Sequence, residues 1–177
     1  EYGVRIRPET IFESGSVAKQ FTAGAIMMLV ADGKLSLDDP ARKYVPELPD
    51  FGAPLTVRQM LHHTSGLRDW GSVMAVAGRP RGTRVYTHAD VLQILGRQRA
   101  LNHPVGAEYL YSNTGYFLLS QIVERVSGKT LRAFADERIF RPLGMRGTHF
   151  HDDHAMIVPG RATGYSPSPN GGFGIDM

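Results

Sequence analysis

The sequence has no cysteine, which excludes disulfide crosslinks and thiol catalysis and leaves the cellular compartment open. It has no apolar run long enough to span a membrane, because the run at 21–30 falls short of the roughly 20 residues required. The formal net charge is only +3, without blocks of like charge or interleaved basic and aromatic residues. Nucleic acid is therefore not indicated as a partner.

What is present is typical of one globular domain, with 42% hydrophobic and 21% charged residues in a chain of 177. The N-terminal residues 1–11 are predicted to form the end of a strand, and 67–86 an irregular surface loop. The predicted helices are short and joined by loops rich in proline and glycine, and such helices usually pack on a sheet that this chain hardly contains. They are predicted at 16–30, 41–45, 57–63, 89–99, 115–126 and 131–140. Thr56 and Gln59 are predicted to form a capping box, Thr87 to cap the next helix, and Gly128 to stop the fifth.

The most informative stretch runs from Phe12 to Gly33 and predicts a buried helix, with Gly33 as a left-handed cap at its end. Ser16 lies three residues before Lys19, and residues at this spacing are neighbours on one face of a helix. A serine hydroxyl needs a proton acceptor to become a nucleophile, and a lysine among apolar neighbours can serve because burial disfavours its charged form. The pattern also occurs by chance, with the serine as a helix cap and the lysine in solvent.

A second candidate group is the segment from Tyr109 to Asn113, ahead of a predicted helix. Tyr111 and Asn113 are two apart and are expected to project to the same side of an extended turn. A phenol beside a lysine can act as acid or base, and an amide can bind a substrate carbonyl or orient the lysine. The alternative is that both residues only cap the helix.

Taken together and in order, these motifs resemble the serine β-lactamase and penicillin-binding-protein superfamily, in its class C β-lactamase, esterase and D-aminopeptidase branch. The Ser-x-x-Lys, His-Thr-Ser-Gly and Tyr-x-Asn blocks carry most of the resemblance. It extends over almost the whole chain, through FESGSVAKQFT (12–22), DGKLSLDDP (32–40), LTVRQMLHHTSGL (55–67), PVGAEYLYSNTGYFLLSQIVERVSG (104–128), RPLGMRGTHF (141–150) and VPGRATGY (158–165).

The resemblance implies a serine hydrolase that forms an acyl-enzyme on a β-lactam, a D-amino-acid peptide or an ester. Ser16 would be the nucleophile, Lys19 would assist proton removal and Tyr111 would be the partner base. Asn113 would hold the substrate or Lys19, and Trp70 would wall the pocket. No metal or other cofactor is implied.

The resemblance further implies that the histidines at 62 and 63 are packed rather than catalytic. It also favours a periplasmic or secreted location.

The implied fold is the α+β β-lactamase/transpeptidase-like fold, of which residues 1–177 would form a single partial domain. The third family motif, a Lys-Thr-Gly or His-x-Gly triplet, does not occur in the matched segment, and the family's N-terminal strands precede it. We therefore expect a middle piece that is mostly helical, lacks most of the antiparallel sheet and is inactive or impaired alone. A complementing chain segment or an oligomer would then cover the apolar residues of the first helix, Phe21, Ile26, Met27, Met28 and Leu29.

Two other functions are compatible with parts of the sequence. A non-catalytic relative could bind cell-wall peptide or a protein partner, although such a protein would not need Ser16, Lys19 and Tyr111 together. The residues from His149 to His154 fit an H-x-H-x-D-H spacing and could bind zinc in a metallo-hydrolase. No histidine follows His154 to complete that site.

Overall fold

The computed structural model describes residues 3–82 and 84–175, and its main elements are helices. A 3₁₀ turn at Gly15–Ala18 leads into the first helix, and another 3₁₀ turn lies at Ala41–Lys43. The α-helices are α1 (Lys19–Ala31), α2 (Val57–Leu61), α3 (Trp70–Val76), α4 (His88–Gly96), α5 (Asn113–Ser127) and α6 (Leu131–Ala135), the last continuing into a π-helical turn at Asp136–Phe140. The strands β1 (Tyr165–Pro167) and β2 (Phe173–Ile175) pair antiparallel as a hairpin.

The core is formed where α1 packs against α5, with α2 and α6 adding to it. Ile26 and Leu29 of α1 are fully buried, as are Leu118 and Ile122 of α5. Burying such side chains stabilises a protein by roughly 1.5–3 kcal/mol each, so this contact fixes the two helices relative to one another. Each of the two helices begins beside a predicted site motif, so the contact also positions the site.

The helix ends follow the local sequence closely. Thr56 and Gln59 form a reciprocal capping box at the start of α2, and Thr87 accepts the Asp90 N–H at the start of α4. Gly33 and Gly128 have φ values of +69° and +71°, as expected of the predicted left-handed cap at Gly33 and of a helix that stops at Gly128. These predictions are confirmed, although the helix bounds differ by a few residues.

Three predictions of local structure are wrong. Ser16 lies in the 3₁₀ turn rather than in the α-helix itself. Residues 67–86 contain α3, because the Asp69 carboxylate accepts the Ser72 N–H and so starts a helix. Residues 3–10 form no strand, since the bridge nearest to them is an isolated one between Ile11 and Arg161, and the Thr10 N–H closes a turn onto the Arg7 carbonyl. The first two residues of the predicted strand lie outside the described residues.

The five apolar residues of α1 are buried to different degrees. Ile26 and Leu29 are inaccessible to solvent, Phe21 and Met28 are half-buried against the turn at 136–140, and Met27 is 47% exposed. The sequence overestimated the uncovered surface, because α5 and α6 bury one face of α1 and the π-helical turn covers part of another. Within the described residues, Met27 is the member of this set that stays exposed.

The turn at Gly66 gives a direct test of the packing next to the His-Thr-Ser-Gly block. Gly66 has φ +72°, and a Cβ there would lie 2.4 Å from the His103 carbonyl oxygen. We expect Gly66→Ala to lower the free energy of unfolding by at least about 2 kcal/mol, from left-handed strain plus overpacking. Gly144→Ala is the matched control, because Gly144 has φ +69° but a Cβ there would meet no atom within 4 Å.

Urea unfolding of the two variants in the full-length protein measures this difference. Equal destabilisation by both substitutions would contradict the predicted clash with His103.

Candidate active site

Four side chains that the sequence singled out meet in one hydrogen-bonded group. The Ser16 Oγ lies 2.6 Å from the Tyr111 Oη, and the Lys19 Nζ donates to the Ser16 Oγ at 3.1 Å. Lys19 also donates to the Asn113 Oδ1 at 2.9 Å. Ser16 is solvent-exposed, so its hydroxyl is accessible to a ligand. Lys19 is half-buried, and its ammonium is held by Asn113.

Two helices position these four side chains. Ser16 and Lys19 are one turn apart where the 3₁₀ turn enters α1, and Asn113 is the first residue of α5. Ser112 has extended backbone angles, so Tyr111 precedes the helix on an extended segment and reaches back over Ser16. The packing of α1 against α5 therefore brings together residues that are more than 90 positions apart in the sequence.

The electrostatics of the group act mainly on Tyr111. Burial alone would raise the pKa of the Tyr111 phenol, but the adjacent Lys19 ammonium and the Ser16 hydroxyl lower it below its ordinary value. The Lys19 Nζ also lies 4.8 Å from the centre of the Tyr111 ring. A phenol with a lowered pKa gives up its proton more readily, and its phenolate form can accept one from a neighbouring hydroxyl.

Asp69, which the sequence analysis missed, fixes the orientation of Asn113. One carboxylate oxygen of Asp69 accepts the backbone N–H of Asn113 at 2.7 Å and its side-chain Nδ2 at 2.8 Å. With the amide nitrogen bound there, the Asn113 Oδ1 faces Lys19. Burial alone would raise the pKa of Asp69, but the N–H donors of Asn113 and Ser72 and the charge of Arg81 hold it below its usual range.

The signal for Asp69 was present in the sequence. An aspartate three residues before a serine, followed by Trp70 and small apolar residues, is typical of a helix start. The glycine and proline residues further along favoured a loop, and the role of the carboxylate toward a residue 44 positions away has no local signature.

The two histidines at the end of α2 differ. His63 is half-buried, and its ring stacks on Tyr111 at a centroid distance of 4.5 Å. Its Nδ1 accepts the Ser112 N–H at 3.2 Å. His62 is exposed, so the expectation that both histidines are packed is wrong for His62.

Trp70 begins α3, directly after Asp69. Its backbone N–H donates to the Thr114 Oγ1 at 2.9 Å, and its ring makes an edge contact with Tyr86 at 5.1 Å. Arg81 lies 5.8 Å from the centre of the Trp70 ring. Trp70 is thus tied to the start of α5, next to Asn113, while its indole packs with residues of the loop before α4.

A groove of about 300 Å³ opens beside the Ser16 turn. Its two walls are joined by backbone hydrogen bonds, from the Ile11 N–H to the Gly160 carbonyl and from the Ala162 N–H to the Ile11 carbonyl. An ion pair between Glu13 and Arg161 at 2.9 Å adds to this link. The lining includes apolar side chains and two histidines: Ile11, Phe12, Phe150 and Val158, with His149 and His151.

The histidine-rich stretch does not gather a metal site. The rings of His149 and His151 are 6.1 Å apart at their centres, and Asp152 is paired with Arg132 at 2.8 Å. Across residues 3–82 and 84–175, no three His, Asp or Glu side chains lie close enough to hold one metal ion. The zinc-hydrolase alternative therefore has no ligand set in this part of the chain.

Comparison with known proteins agrees with the arrangement of these motifs. The family model described as Beta-lactamase matches residues 1–176, nearly the full length of the chain. The chain belongs to the Beta-lactamase family. Relatives within this family include a D-aminopeptidase of Cereibacter sphaeroides, 32% identical over 168 residues, and the esterase EstB of Burkholderia gladioli, 36% identical over 162 residues.

These relatives are considerably longer than the chain. The alignments cover 90% and 85% of this chain but only 32% of the D-aminopeptidase and 41% of the esterase. Among solved structures, the octameric penicillin-binding protein homologue from Pyrococcus abyssi is 35% identical with a TM-score of 0.79, and the match covers 95% of this chain and 39% of that one. The predicted β-lactamase/transpeptidase fold is confirmed, and the described residues form a mostly helical part of it with one two-stranded sheet.

The described helices also bear on membrane association. Within 3–82 and 84–175, none combines the length and the apolar character that crossing a bilayer requires.

Proposed function

We propose that the protein is a serine hydrolase in which Ser16 attacks a substrate carbonyl and is acylated. The observation that carries this proposal is the contact of one exposed hydroxyl with two proton-handling groups, Tyr111 at 2.6 Å and Lys19 at 3.1 Å. A serine that only caps a helix has no need of either partner. Membership of the Beta-lactamase family supports the same chemistry.

In the proposed reaction, Tyr111 accepts the Ser16 proton as the Oγ bonds to the carbonyl carbon. Lys19 stabilises the phenolate form of Tyr111 by its charge and keeps its place through Asn113. The tetrahedral intermediate then expels its amine or alkoxide, which takes the proton from Tyr111. Tyr111 then deprotonates a water molecule, whose oxygen attacks the acyl carbonyl carbon. The bond from that carbon to the Ser16 Oγ breaks, the acid is released, and Tyr111 returns the proton to the Ser16 Oγ.

The proposed substrates are esters and amides or peptides of D-amino acids, with β-lactams as a further class that forms the same acyl-enzyme. The D-aminopeptidase and esterase relatives support the first two classes. The groove is lined by Gly15 and Ala18, on either side of Ser16 in the sequence, and has apolar walls from Phe12 and Phe150 that suit an apolar part of the substrate. Asn113, which contacts Lys19, and Trp70, which is tied to the neighbouring Thr114, are also proposed to contact the substrate.

Covalent labelling tests the proposal. Treating the full-length protein with a fluorophosphonate should give one adduct that peptide mass spectrometry maps to Ser16, and Ser16→Ala should abolish it. The matched control is Ser166→Ala, which removes an exposed hydroxyl in β1 outside the groove lining and should label normally.

An adduct on another residue, or one that survives Ser16→Ala, would overturn the assignment of the nucleophile. A folded protein that no acylating probe labels would instead be a non-catalytic binding relative.

A further inference from the structure

His63 contacts the backbone on both sides of Tyr111. Its carbonyl oxygen accepts the Leu110 N–H at 2.9 Å, and its side-chain Nδ1 accepts the Ser112 N–H at 3.2 Å. The residues immediately before and after Tyr111 are therefore anchored to one and the same residue. This double contact fixes the place along the extended segment from which the phenol reaches Ser16.

The ring of His63 also fixes the plane of the Tyr111 ring. The two rings stack with centroids 4.5 Å apart and planes 30° apart. Tyr116 packs against His63 at 5.1 Å, and Tyr109 makes an edge contact at 5.8 Å. The imidazole is thus held among three tyrosines, of which Tyr111 is the one that contacts the Ser16 hydroxyl.

The backbone of His63 restricts which residues can take its place. Its φ is +56°, in the left-handed region, where histidine and asparagine are tolerated better than most residues with a Cβ. A residue here must accept this conformation and also present a hydrogen-bond acceptor to Ser112. Histidine and asparagine meet both requirements, whereas phenylalanine supplies only a ring.

We propose that His63 is a positioning residue, whose neutral imidazole holds Tyr111 in reach of Ser16 and whose protonation releases it. The proposal rests on the proposed function, because it assigns Tyr111 as the proton acceptor. Nδ1 must carry a lone pair to accept the Ser112 N–H, so the ring proton of the neutral form is on Nε2. A proton on Nδ1 removes that acceptor.

The surroundings set the direction of the pH effect. The charged and titratable groups that face His63 are Lys19 from α1, Tyr109 and Tyr111 from the extended segment, and Tyr116 from α5. Burial, followed by the Lys19 charge, lowers the pKa of His63 below 6.5. The imidazole is therefore neutral at pH 7, and its anchoring of Ser112 is lost as the pH falls through that lowered pKa.

The decisive measurement is the rate at which a fluorophosphonate acylates Ser16 in the full-length protein, followed from pH 8 down to the lowest pH at which circular dichroism shows the protein folded. In the wild type, the fall in rate with acid should steepen once His63 is protonated, because protonation of Tyr111 and of His63 then both act. His63→Asn keeps the acceptor and the left-handed backbone but does not titrate, so its profile should lack the steepening.

Two further variants complete the test. His63→Phe keeps a stacking ring without the acceptor and should slow acylation at pH 7 by on the order of 10²-fold, the cost of misplacing a reacting group by about 1 Å. His62→Asn changes the exposed neighbour and should match the wild type at every pH. Circular dichroism melts show whether each variant is folded, and the His63→Asn profile decides the question if His63→Phe is not.

The outcomes separate the two proposals. A wild-type protein without a Ser16 adduct would overturn the proposed function and the role of His63 with it. A normal Ser16 adduct, together with a His63→Asn profile as steep as the wild type, would overturn the role of His63 alone.

Discussion

Replacing Tyr111 by phenylalanine should lower kcat for ester hydrolysis by about 10²–10⁴-fold, the usual effect of losing a general base. KM should change little, because the substitution removes only the hydroxyl that contacts the Ser16 Oγ at 2.6 Å and retains the ring. The stacking on His63 at 4.5 Å involves the ring and should persist. The measurement is steady-state hydrolysis of an activated ester by the full-length protein.

Tyr109→Phe is the matched control for this prediction. Tyr109 is 68% exposed and lies two residues from Tyr111 on the same extended segment. Removing its hydroxyl should leave kcat within about twofold of the wild type, as for most exposed substitutions away from a reacting group. A Tyr111→Phe enzyme as active as this control would show that Tyr111 only walls the pocket.

Replacing Lys19 by methionine should also lower kcat by about 10²–10⁴-fold at pH 7, for a different reason. The Lys19 ammonium lowers the pKa of Tyr111, so its removal should raise that pKa and deplete the phenolate that accepts the Ser16 proton. Activity should therefore recover as the pH is raised toward the new, higher pKa of Tyr111, because the phenolate is then restored. Rates measured from pH 6 to about pH 10 should show the rising limb displaced to higher pH.

Lys34→Met is the control for the loss of one positive charge. Lys34 is exposed just beyond the other end of α1, where it lies near Asp32. Its removal should leave the pH profile unchanged, since exposed charges at that separation are screened by salt. If Lys19→Met keeps the wild-type profile, Lys19 does not act through Tyr111, and a role confined to holding Asn113 would remain.

The features that the sequence predicted share one property, which is that each depends on residues close together in the chain. The spacing of Ser16 and Lys19 places both on one helical turn, and the caps at Thr56, Gly33 and Gly128 each follow from one or two residues. The contact between Tyr111 and Ser16, in contrast, was reached through the family resemblance. No local pattern specifies a contact across 95 positions.

The residues whose roles the sequence did not predict contact partners that are far away in the chain, and no short motif marks such contacts. In the sequence, Asp69 has the features of an ordinary helix cap. In the structure its carboxylate also accepts hydrogen bonds from the backbone and side-chain N–H groups of Asn113, at the start of α5. His63 was expected to be packed, and its stacking with Tyr111 depends on a left-handed backbone that a non-glycine residue rarely adopts. The sequence does not predict α3, because the glycine and proline residues that follow it favour a loop more strongly than the Asp69 cap favours a helix.

The groove and the nucleophile are held by separate sets of contacts, which has a consequence for how such a protein could diversify. The position of Ser16 depends on α1 and its buried residues Ile26 and Leu29, whereas the far wall of the groove is tied to Ile11 by the two backbone hydrogen bonds of Gly160 and Ala162. Backbone bonds do not depend on the identity of the side chains. Mutations at His149, His151 or Val158 are therefore expected to reshape the groove while its walls stay joined and while Ser16, the proposed nucleophile, keeps its contacts with Lys19 and Tyr111.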